Sequence, residues 1–303
     1  MPARLFFDIV RKLPDEMVSI TVDHKQQVSI RAGAAFFQIT AMDSEDYPEL
    51  PDVNGKSGVT MPQSALKAMI SGTIFSVSEN QARPIQTGCL MEVTEDSVTM
   101  VAVDSFRLAR RTWHTENAAN HTLKFVVPAA GLKEIERILE DSDEPVTFTL
   151  GDKHILFSIG DALLVSRVLE GEFIDWRRVV PTNCGTVLTA NVAELTSSIE
   201  RVSLIISEKV KSPVRCVFGD NMADFRTANT IGSAHDTCSI AGNGGELEIG
   251  FNSRYLLDAL RVIPSEQVTL ELQNGLSPIV FTPCDKKYDF AYMVLPVRLR
   301  SNS

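Results

Sequence analysis

Two glycine-rich segments are the places where this chain has residues of the type that hold phosphate groups. GKSG at Gly55 ends like a phosphate-binding loop, but Leu50 stands where the first glycine of such a loop is required, and no helix follows at once. GNGG at Gly242 is followed by the strand-like segment ELEIGF, which predicts a hairpin turn. Neither segment therefore predicts a nucleotide site.

Residues that serve as catalysts or metal ligands lack partners at the spacing that such chemistry needs. His235 and Cys238 form an isolated HxxC pair, whereas zinc sites combine several such ligands. The chain has no GxSxG segment and no carboxylate pair in a glycosidase-like setting. Its cysteines form no CxxC and predict buried thiols; they are Cys89, Cys184, Cys216, Cys238 and Cys284. The sequence therefore predicts no catalytic residue, no metal and no cofactor.

The chemistry that the sequence favours is electrostatic contact, because basic residues recur at one position of a repeated helix. The segments MPARLFFDIVRKL, VPAAGLKEIERIL and FNSRYLLDALRVI align without gaps and bring Arg11, Arg137 and Arg261 into register. One such arginine is an ordinary solvated residue, but three at one position predict a shared basic surface. We assign to that surface Arg4, Arg11, Lys12, Lys67, Lys133, Arg137, Arg201, Lys209, Arg254 and Arg261.

The overall composition limits the classes of protein that fit. The formal net charge of −10 argues against a protein that coats nucleic acid, but it permits one basic lining on an acidic molecule. No apolar run reaches the length of a membrane span, and the amphipathic start has no cleavage site, so we expect a cytoplasmic protein. A chain of 303 residues with 44% hydrophobic residues suits two or three domains.

The repeated helix also defines the domain organisation. A similar strand follows each copy, and the period is about 125 residues, which is the size of a domain. A second helix, SALKAMIS or AELTSSIE, stands about 60 residues before the last two copies and has no counterpart before the first. We therefore expect an α+β fold of repeated domains, each with two helices packed on antiparallel sheet, and a first domain that lacks its first half. The predicted domains are residues 1–57, 58–183 and 184–303.

The first copy of the helix is predicted to bury one side. Leu5, Phe6, Ile9, Val10 and Leu13 follow a 3.6-residue period on that side. The segments VSITV, QVSIRA and FFQITAM that follow alternate as strands do.

Three further segments combine apolar residues with arginine at predicted strand ends. They are VDSFRL at Val103, FIDWRRVVP at Phe173 and LPVRL at Leu295. Ordinary sheet core with arginines at its edge would explain each segment by itself. Together with ARPIQTG at Ala82, they resemble the characteristic segments of the bacterial sliding clamp family, the β subunit of DNA polymerase III. The resemblance extends over all 303 residues.

That resemblance implies a ring. In the family, two three-domain subunits close head to tail around duplex DNA, with helices inside and sheets outside, and the clamp is a processivity factor and not an enzyme. Contacts to phosphates would then be weak and independent of sequence, as sliding requires. The ring contact implied for this homodimer places Phe37 and Ile39 of one subunit against Leu204 and Ile205 of the other.

The resemblance also implies a groove between the second and third domains that binds short apolar peptides. The family's partners at this groove are the DNA polymerase III α subunit, the clamp loader, other polymerases and repair proteins. Apolar side chains would hold the leucine and phenylalanine of the peptide, and arginines at the rim would fix its polar groups. The residues carried over to this groove are Val103, Ser105, Phe106, Arg107, Leu108, Ile174, Arg178, Val179, Leu276, Met293, Leu295, Pro296, Val297 and Arg298.

Four positions in or beside this groove depart from the family's pattern. Val103 and Phe106 replace a hydroxyl residue and a histidine, and Ile174 replaces a proline. Gln86 stands where an apolar residue is common. These changes affect which peptides we expect the groove to prefer. They do not change the prediction of the groove itself.

Two other functions are open on the sequence. A truncated adaptor that keeps the peptide groove but never encircles DNA would be a monomer that still binds peptide. An enzyme with an unrecognised site would show turnover that depends on a histidine or a cysteine. The sequence favours the sliding clamp over both.

Overall fold

The structure is a computed structural model in which most of the chain is described. The described residues are 1–14, 17–43, 51, 53, 58–116, 122–207 and 212–299. The chain divides into two compact units, Met1–Asp52 and Val53–Ser303, which we call unit 1 and unit 2.

Helices and strands follow one another in the order that the repeated segments predict. The helices are α1 (Ala3–Arg11), α2 (Gln63–Ser71), α3 (Ala129–Ile138), α4 (Trp176–Val179), α5 (Val192–Ser203) and α6 (Ser253–Leu260). The strands of unit 1 are β1 (Ser19–Val22), β2 (Gln27–Ala32) and β3 (Ala35–Thr40). The strands of unit 2 are β4 (Gly58–Pro62), β5 (Gly88–Val93), β6 (Ser97–Val103), β7 (Arg107–His114), β8 (Leu123–Pro128), β9 (Pro145–Leu150), β10 (His154–Ile159), β11 (Ala162–Arg167), β12 (Thr186–Asn191), β13 (Val214–Ala228), β14 (Ser233–Phe251), β15 (Gln267–Leu272), β16 (Ile279–Pro283) and β17 (Phe290–Val294).

Unit 1 packs helix α1 on a three-stranded antiparallel sheet in the order β1-β2-β3. Ile9 is buried against β2, with Phe6 and Leu13 beside it. The expectation that Leu5 and Val10 share this buried side is wrong, since both are exposed. The helix meets the sheet along the narrow line of residues spaced three and four apart, and the flanking apolar side chains lie outside that line.

Unit 2 contains two antiparallel sheets. Their strand orders are β11-β10-β9-β4 and β13-β14-β12-β15-β16-β17-β7-β6-β5-β8. The ten-stranded sheet contains strands from both of the predicted domains 58–183 and 184–303, because β17 pairs with β7 from Phe290 opposite Arg111 to Val294 opposite Arg107. We call the β7–β17 pair the seam. The predicted α+β architecture with antiparallel sheet is confirmed.

The repeated helices pack at equivalent places in the two halves of unit 2. Helix α2 packs beside α3, and α5 packs beside α6. Leu132 of α3 and Leu256 of α6, which align in the sequence repeat, are both buried in the apolar cores next to their helices. Burial of one such leucine stabilises the fold by about 1.5–3 kcal/mol. The sequence repeat therefore reports a repeated packing position.

Both faces of the sheet are buried at the seam. Ala109 of β7 and Tyr292 of β17 belong to the core that α5 and α6 cover. Leu108, Ala291 and Met293 belong to a second apolar cluster. Since successive side chains of a strand point to opposite faces, this second cluster lies on the side of the seam away from α5 and α6.

The segment GNGG is not a hairpin turn, and that prediction is wrong. Asn243 lies within β14 and pairs with Asp220 of β13, while the turn that joins the two strands is at residues 229–232. Register shifts on either side of Asp220 mark a β-bulge. Gly242 has a φ of +115°, a value that favours glycine. The glycines therefore serve an irregularity within two long strands and not a reversal of the chain.

Candidate functional site

The apolar cluster at the seam brings together five of the predicted groove residues. Leu108 and Met293 are direct cross-strand partners, and Val103, Ile174 and Leu295 pack around them. We call the whole set the seam cluster: Leu90, Val101, Val103, Leu108, Val126, Phe173, Val280, Ala291 and Met293, with the partly buried Ile85, Leu169, Ile174, Trp176, Val180 and Leu295.

The turn between β6 and β7 presents Ser105 and Phe106 to solvent beside this cluster. Asp104 fixes the turn, because its Oδ1 accepts hydrogen bonds from the backbone N–H groups of Phe106 at 2.7 Å and Arg107 at 3.0 Å. The backbone N–H of Leu295 donates to the carbonyl oxygen of Phe106 at 2.8 Å. Groove residues from both predicted domains therefore meet at this turn.

The structure differs from the expectation at Arg107, which was predicted to stand at the rim. Its side chain is buried, with Nε 3.0 Å from Asp104 Oδ2 and Nη1 2.6 Å from Asp258 Oδ2. Its guanidinium lies 4.5 Å from the ring centre of Tyr255. The alternation of β7 explains the difference, because it turns Leu108 towards the seam cluster and Arg107 towards α6.

A cleft of about 410 Å³, which we call the α6 cleft, lies next to the turn. Phe106 stacks on Tyr255 with ring centres 5.8 Å apart. Tyr255 lines the cleft together with Arg254 and Val297, and the Val297 N–H donates to the carbonyl oxygen of Gly250 at 2.8 Å. One predicted groove residue, Val297, therefore lines the α6 cleft, and Phe106 packs on the Tyr255 ring beside it.

The linker between β11 and β12 supplies a wall beside the seam cluster. Ile174 and Trp176 pack against the cluster. Helix α4 carries Arg178 and Val179, which are both exposed. Arg178 has a side chain that is 86% exposed, and its Nε lies 3.0 Å from Asp175 Oδ2. Both residues are accessible to a ligand that covers the cluster.

Further predicted groove residues outside both the seam cluster and the α6 cleft are Leu276, Pro296 and Arg298. Leu276 lies between β15 and β16 and is 76% exposed. Pro296 is half-buried and Arg298 is exposed, on either side of Val297. Pro296 follows Leu295 of the seam cluster, and Arg298 follows Val297 of the α6 cleft.

Sequence reasoning missed Tyr255 and Trp176. Tyr255 had a signal, because it is an aromatic residue beside the apolar stripe that contains Leu256 and Leu260 on α6, and it is only half-buried. Trp176 stands within the segment FIDWRRVVP, which the sequence pattern distinguishes by its arginines and not by its tryptophan. Its indole donates to Glu92, a buried residue of β5 that no local pattern distinguishes.

The predicted basic residues of unit 2 are accessible, but carboxylates neutralise several of them. The ion pairs are Arg137–Glu134 at 2.7 Å, Arg261–Glu200 at 2.8 Å, Arg254–Asp258 at 3.9 Å and Arg201–Asp236. Lys133 is exposed and Lys67 is half-buried, and within the described residues neither has a carboxylate partner. Lys209 lies outside the described residues. In unit 1, the predicted basic residues Arg4, Arg11 and Lys12 are all exposed.

The residues predicted for the subunit contact differ in exposure. Leu204, which follows α5, is 83% exposed. Ile205 is half-buried, and its carbonyl oxygen accepts a hydrogen bond from Asn229 Nδ2 at 2.8 Å. In unit 1, Phe37 is exposed on β3 and Ile39 packs against the small core. Leu204 and Phe37 therefore offer apolar side chains to solvent.

A charged network lies beside Trp176. Arg110 Nη2 lies 2.5 Å from Asp289 Oδ1, and His114 Nε2 lies 2.8 Å from Asp289 Oδ2. Burial acts to raise the pKa of Asp289, but the hydrogen bonds and charges of Arg110 and His114 hold it below its usual range. The Arg110 guanidinium lies 5.8 Å from the ring centre of Trp176.

The thiols and other potential ligands do not form a reactive centre in the described part of the chain. Cys89, Cys216 and Cys238 are buried, whereas Cys284 is exposed, so the expectation of buried thiols is only partly correct. Burial raises the pKa of Cys89 to about 12. The described residues show no group of three or more His, Cys, Asp or Glu side chains placed to hold a metal. No helix among them has both the length and the apolar character needed to cross a bilayer.

Comparison with known proteins identifies the family. Models of the DNA polymerase III beta subunit match residues 1–51 (N-terminal domain), 60–175 (central domain) and 177–298 (C-terminal domain). The beta sliding clamp of Staphylococcus epidermidis is 30% identical over 300 residues, which are 98% of this chain and 79% of that relative.

Solved structures agree with the sequence matches. A putative DNA polymerase III beta subunit from Eubacterium rectale superposes with a TM-score of 0.92 at 32% identity, over 99% of this chain and 81% of that one. The DNA polymerase sliding clamp of Bacillus subtilis superposes with a TM-score of 0.92 at 30% identity, over 98% of this chain and 79% of that one. A Pseudomonas aeruginosa clamp bound to griselimycin superposes with a TM-score of 0.91 at 30% identity, over 98% of this chain and 80% of that one.

Fold, site and matches define a DNA sliding clamp. The chain belongs to the DNA polymerase III beta subunit family. It is a processivity factor of DNA replication, with DNA and polymerase as its partners.

Proposed function

We propose that the protein works as a head-to-tail homodimer that encircles duplex DNA and tethers its partners through a peptide-binding groove at the seam. The proposed domains are residues 1–57, 58–183 and 184–303. The clamp acts in the cytoplasm by encircling DNA and by binding its partners. It catalyses no reaction, so it is not an enzyme and needs no cofactor.

The observation that carries the groove is the seam cluster with the α6 cleft beside it. Leu108 and Met293 form a buried apolar floor, while Val179, Phe106 and Val297 around it are each more than 40% exposed. Exposed apolar side chains around a packed floor favour a ligand that covers them. An extended peptide with leucine and phenylalanine side chains has the right chemistry, and Met293 can repack around partners of varied shape.

The proposed occupants are short apolar motifs of the DNA polymerase III α subunit, the clamp loader, other polymerases and repair proteins. Each partner must leave so that the next can bind, which suits micromolar affinity, or about −8 kcal/mol. Phe106 fills space beside Tyr255, so the α6 cleft should favour flat or small groups in the peptide.

The proposed DNA contacts are the exposed basic residues of the helices. Arginines that already pair with carboxylates, such as Arg137 and Arg261, contribute less to phosphate binding than free cations do. DNA binding should therefore be weak and fall steeply with salt. Weak contacts suit sliding, because a closed ring retains the DNA without them.

A fluorescence titration tests the groove directly. We expect a labelled Gln-Leu-x-Leu-Phe peptide to bind the chain with micromolar affinity and to bind Arg178→Ala about tenfold more weakly. The matched control is Arg167→Ala, which removes an arginine that is also exposed and also pairs with a carboxylate three residues away. Absence of saturable binding by the unchanged chain, or equal weakening in both variants, would contradict the proposed groove.

A further inference from the structure

Glu92 is a buried carboxylate on β5 whose partners come from two separate segments. Lys124 is its cross-strand neighbour on β8, with Nζ 3.5 Å from Oε1. From α4, Arg177 Nη2 lies 2.8 Å from Oε2, and Trp176 Nε1 donates to the same oxygen at 3.2 Å. A carboxylate this deeply buried is costly unless donors satisfy it. Its charge therefore favours the arrangement in which α4 lies against the sheet.

Helix α4 has little stability of its own. It has four residues, its N-cap Asp175 makes no side-chain cap, and the N–H of Val180 closes one turn onto the carbonyl oxygen of Trp176 at 3.2 Å. A single turn is far too short to persist in water without tertiary contacts. Those contacts come from Trp176 and Val180 in the seam cluster and from the Glu92 carboxylate.

Trp176 connects the carboxylate to the groove. The Arg177 guanidinium lies 4.2 Å from the indole ring centre, and Arg110 approaches the same ring from the seam. Ile174 and Val179 lie two residues before and three residues after this tryptophan. A shift of the indole therefore moves both of the linker's apolar groove residues.

We propose that Glu92 is a positioning residue of the peptide groove, which holds α4 in place through Trp176 and Arg177. The inference rests on the proposed function of the groove. The Glu92 side chain is 9% exposed, so it acts through α4 and not by touching the peptide. Its role is to fix the linker wall in the conformation that a peptide can use.

The test combines a tryptophan signal with peptide affinity. Trp113→Phe leaves Trp176 as the remaining tryptophan of the two in the chain. In that background, Glu92→Gln should shift the fluorescence emission of Trp176 to longer wavelength. It should also weaken the binding of the Gln-Leu-x-Leu-Phe peptide about tenfold. Glu92→Asp, which keeps the charge, should restore part of both readouts. The matched control is Glu95→Gln, an exposed glutamate in the adjacent β5–β6 turn, which should leave both unchanged.

The outcomes separate this inference from the groove itself. If the unchanged chain binds no peptide, the proposed groove fails, and Trp176 emission still reports whether Glu92 holds α4. If the chain binds peptide and Glu92→Gln alters neither emission nor affinity, Glu92 is not a positioning residue. Arg177→Gln, at a side chain that is 58% exposed, repeats the test at the other end of the ion pair should Glu92→Gln fail to fold.

Discussion

Buried charged side chains organise the seam region at the scale of single residues. Arg107 reaches from β7 to Asp258 of α6, and Glu92 reaches from β5 to α4. Each joins residues that are more than 80 positions apart in the sequence. Neither contact follows from a local pattern, because a sequence motif gives the type of a charged residue and not its partner.

These carboxylates make stability depend on pH in a defined direction. Burial acts to raise the pKa of Glu92, but hydrogen bonds from Arg177 and Trp176 hold it below its usual range, and the pKa of Asp289 is also lowered. Groups with a lowered folded-state pKa stabilise the fold fully above the unfolded-state pKa, near 4.3 for Glu and 3.9 for Asp. That stabilisation is lost as the pH falls through the folded-state pKa.

We therefore expect the free energy of unfolding, measured with urea, to decline below about pH 4.3 and to decline less steeply in Asp289→Asn. The control is Asp161→Asn, at an exposed turn residue, which should keep the slope of the unchanged chain. An equal slope in all three proteins would contradict the assigned role of Asp289.

At the scale of elements, the helices and strands were predictable because their periodicity is local. The three aligned segments are helices α1, α3 and α6, and the alternating segments are strands. Prediction failed for GNGG, because glycines with positive φ occur in bulges as well as in turns. Prediction also failed for Arg107, because the sequence of β7 does not show which face of the sheet each of its alternating side chains points to, or what covers that face.

The seam itself was not predictable from periodicity. Residues of β7 and β17 that pair with one another, such as Leu108 and Met293, are far apart in the chain. Their segments read as ordinary strands with edge arginines. It was the resemblance to the clamp family that brought them together as a groove, and five of those residues do pack in one cluster.

Truncation of Leu108 tests the packing of the seam. Leu108→Ala removes a fully buried side chain and should lower the free energy of unfolding by about 2–5 kcal/mol. Leu163→Ala, at a leucine that is 60% exposed on β11, should change it by less than about 0.5 kcal/mol. Urea unfolding measures both values, and a loss below about 1 kcal/mol at Leu108 would contradict a close-packed floor.

At the scale of the whole molecule, charge and function fit one another. The chain has a net charge of −10, and carboxylates neutralise several of its helix arginines. Such a protein binds DNA weakly unless its shape retains the DNA. The clamp function of the family therefore makes closure of a ring the central claim for this chain.

The most direct test of that claim is the molar mass in solution, measured by light scattering. A head-to-tail dimer predicts twice the 33.4 kDa of one chain. Leu204→Asp should return the mass to that of one chain, because it places a charge on the proposed contact. Val187→Asp, at an exposed apolar residue of β12, an interior strand of the ten-stranded sheet, should leave the dimer intact. A single-chain mass for the unchanged protein at micromolar concentration would contradict the ring.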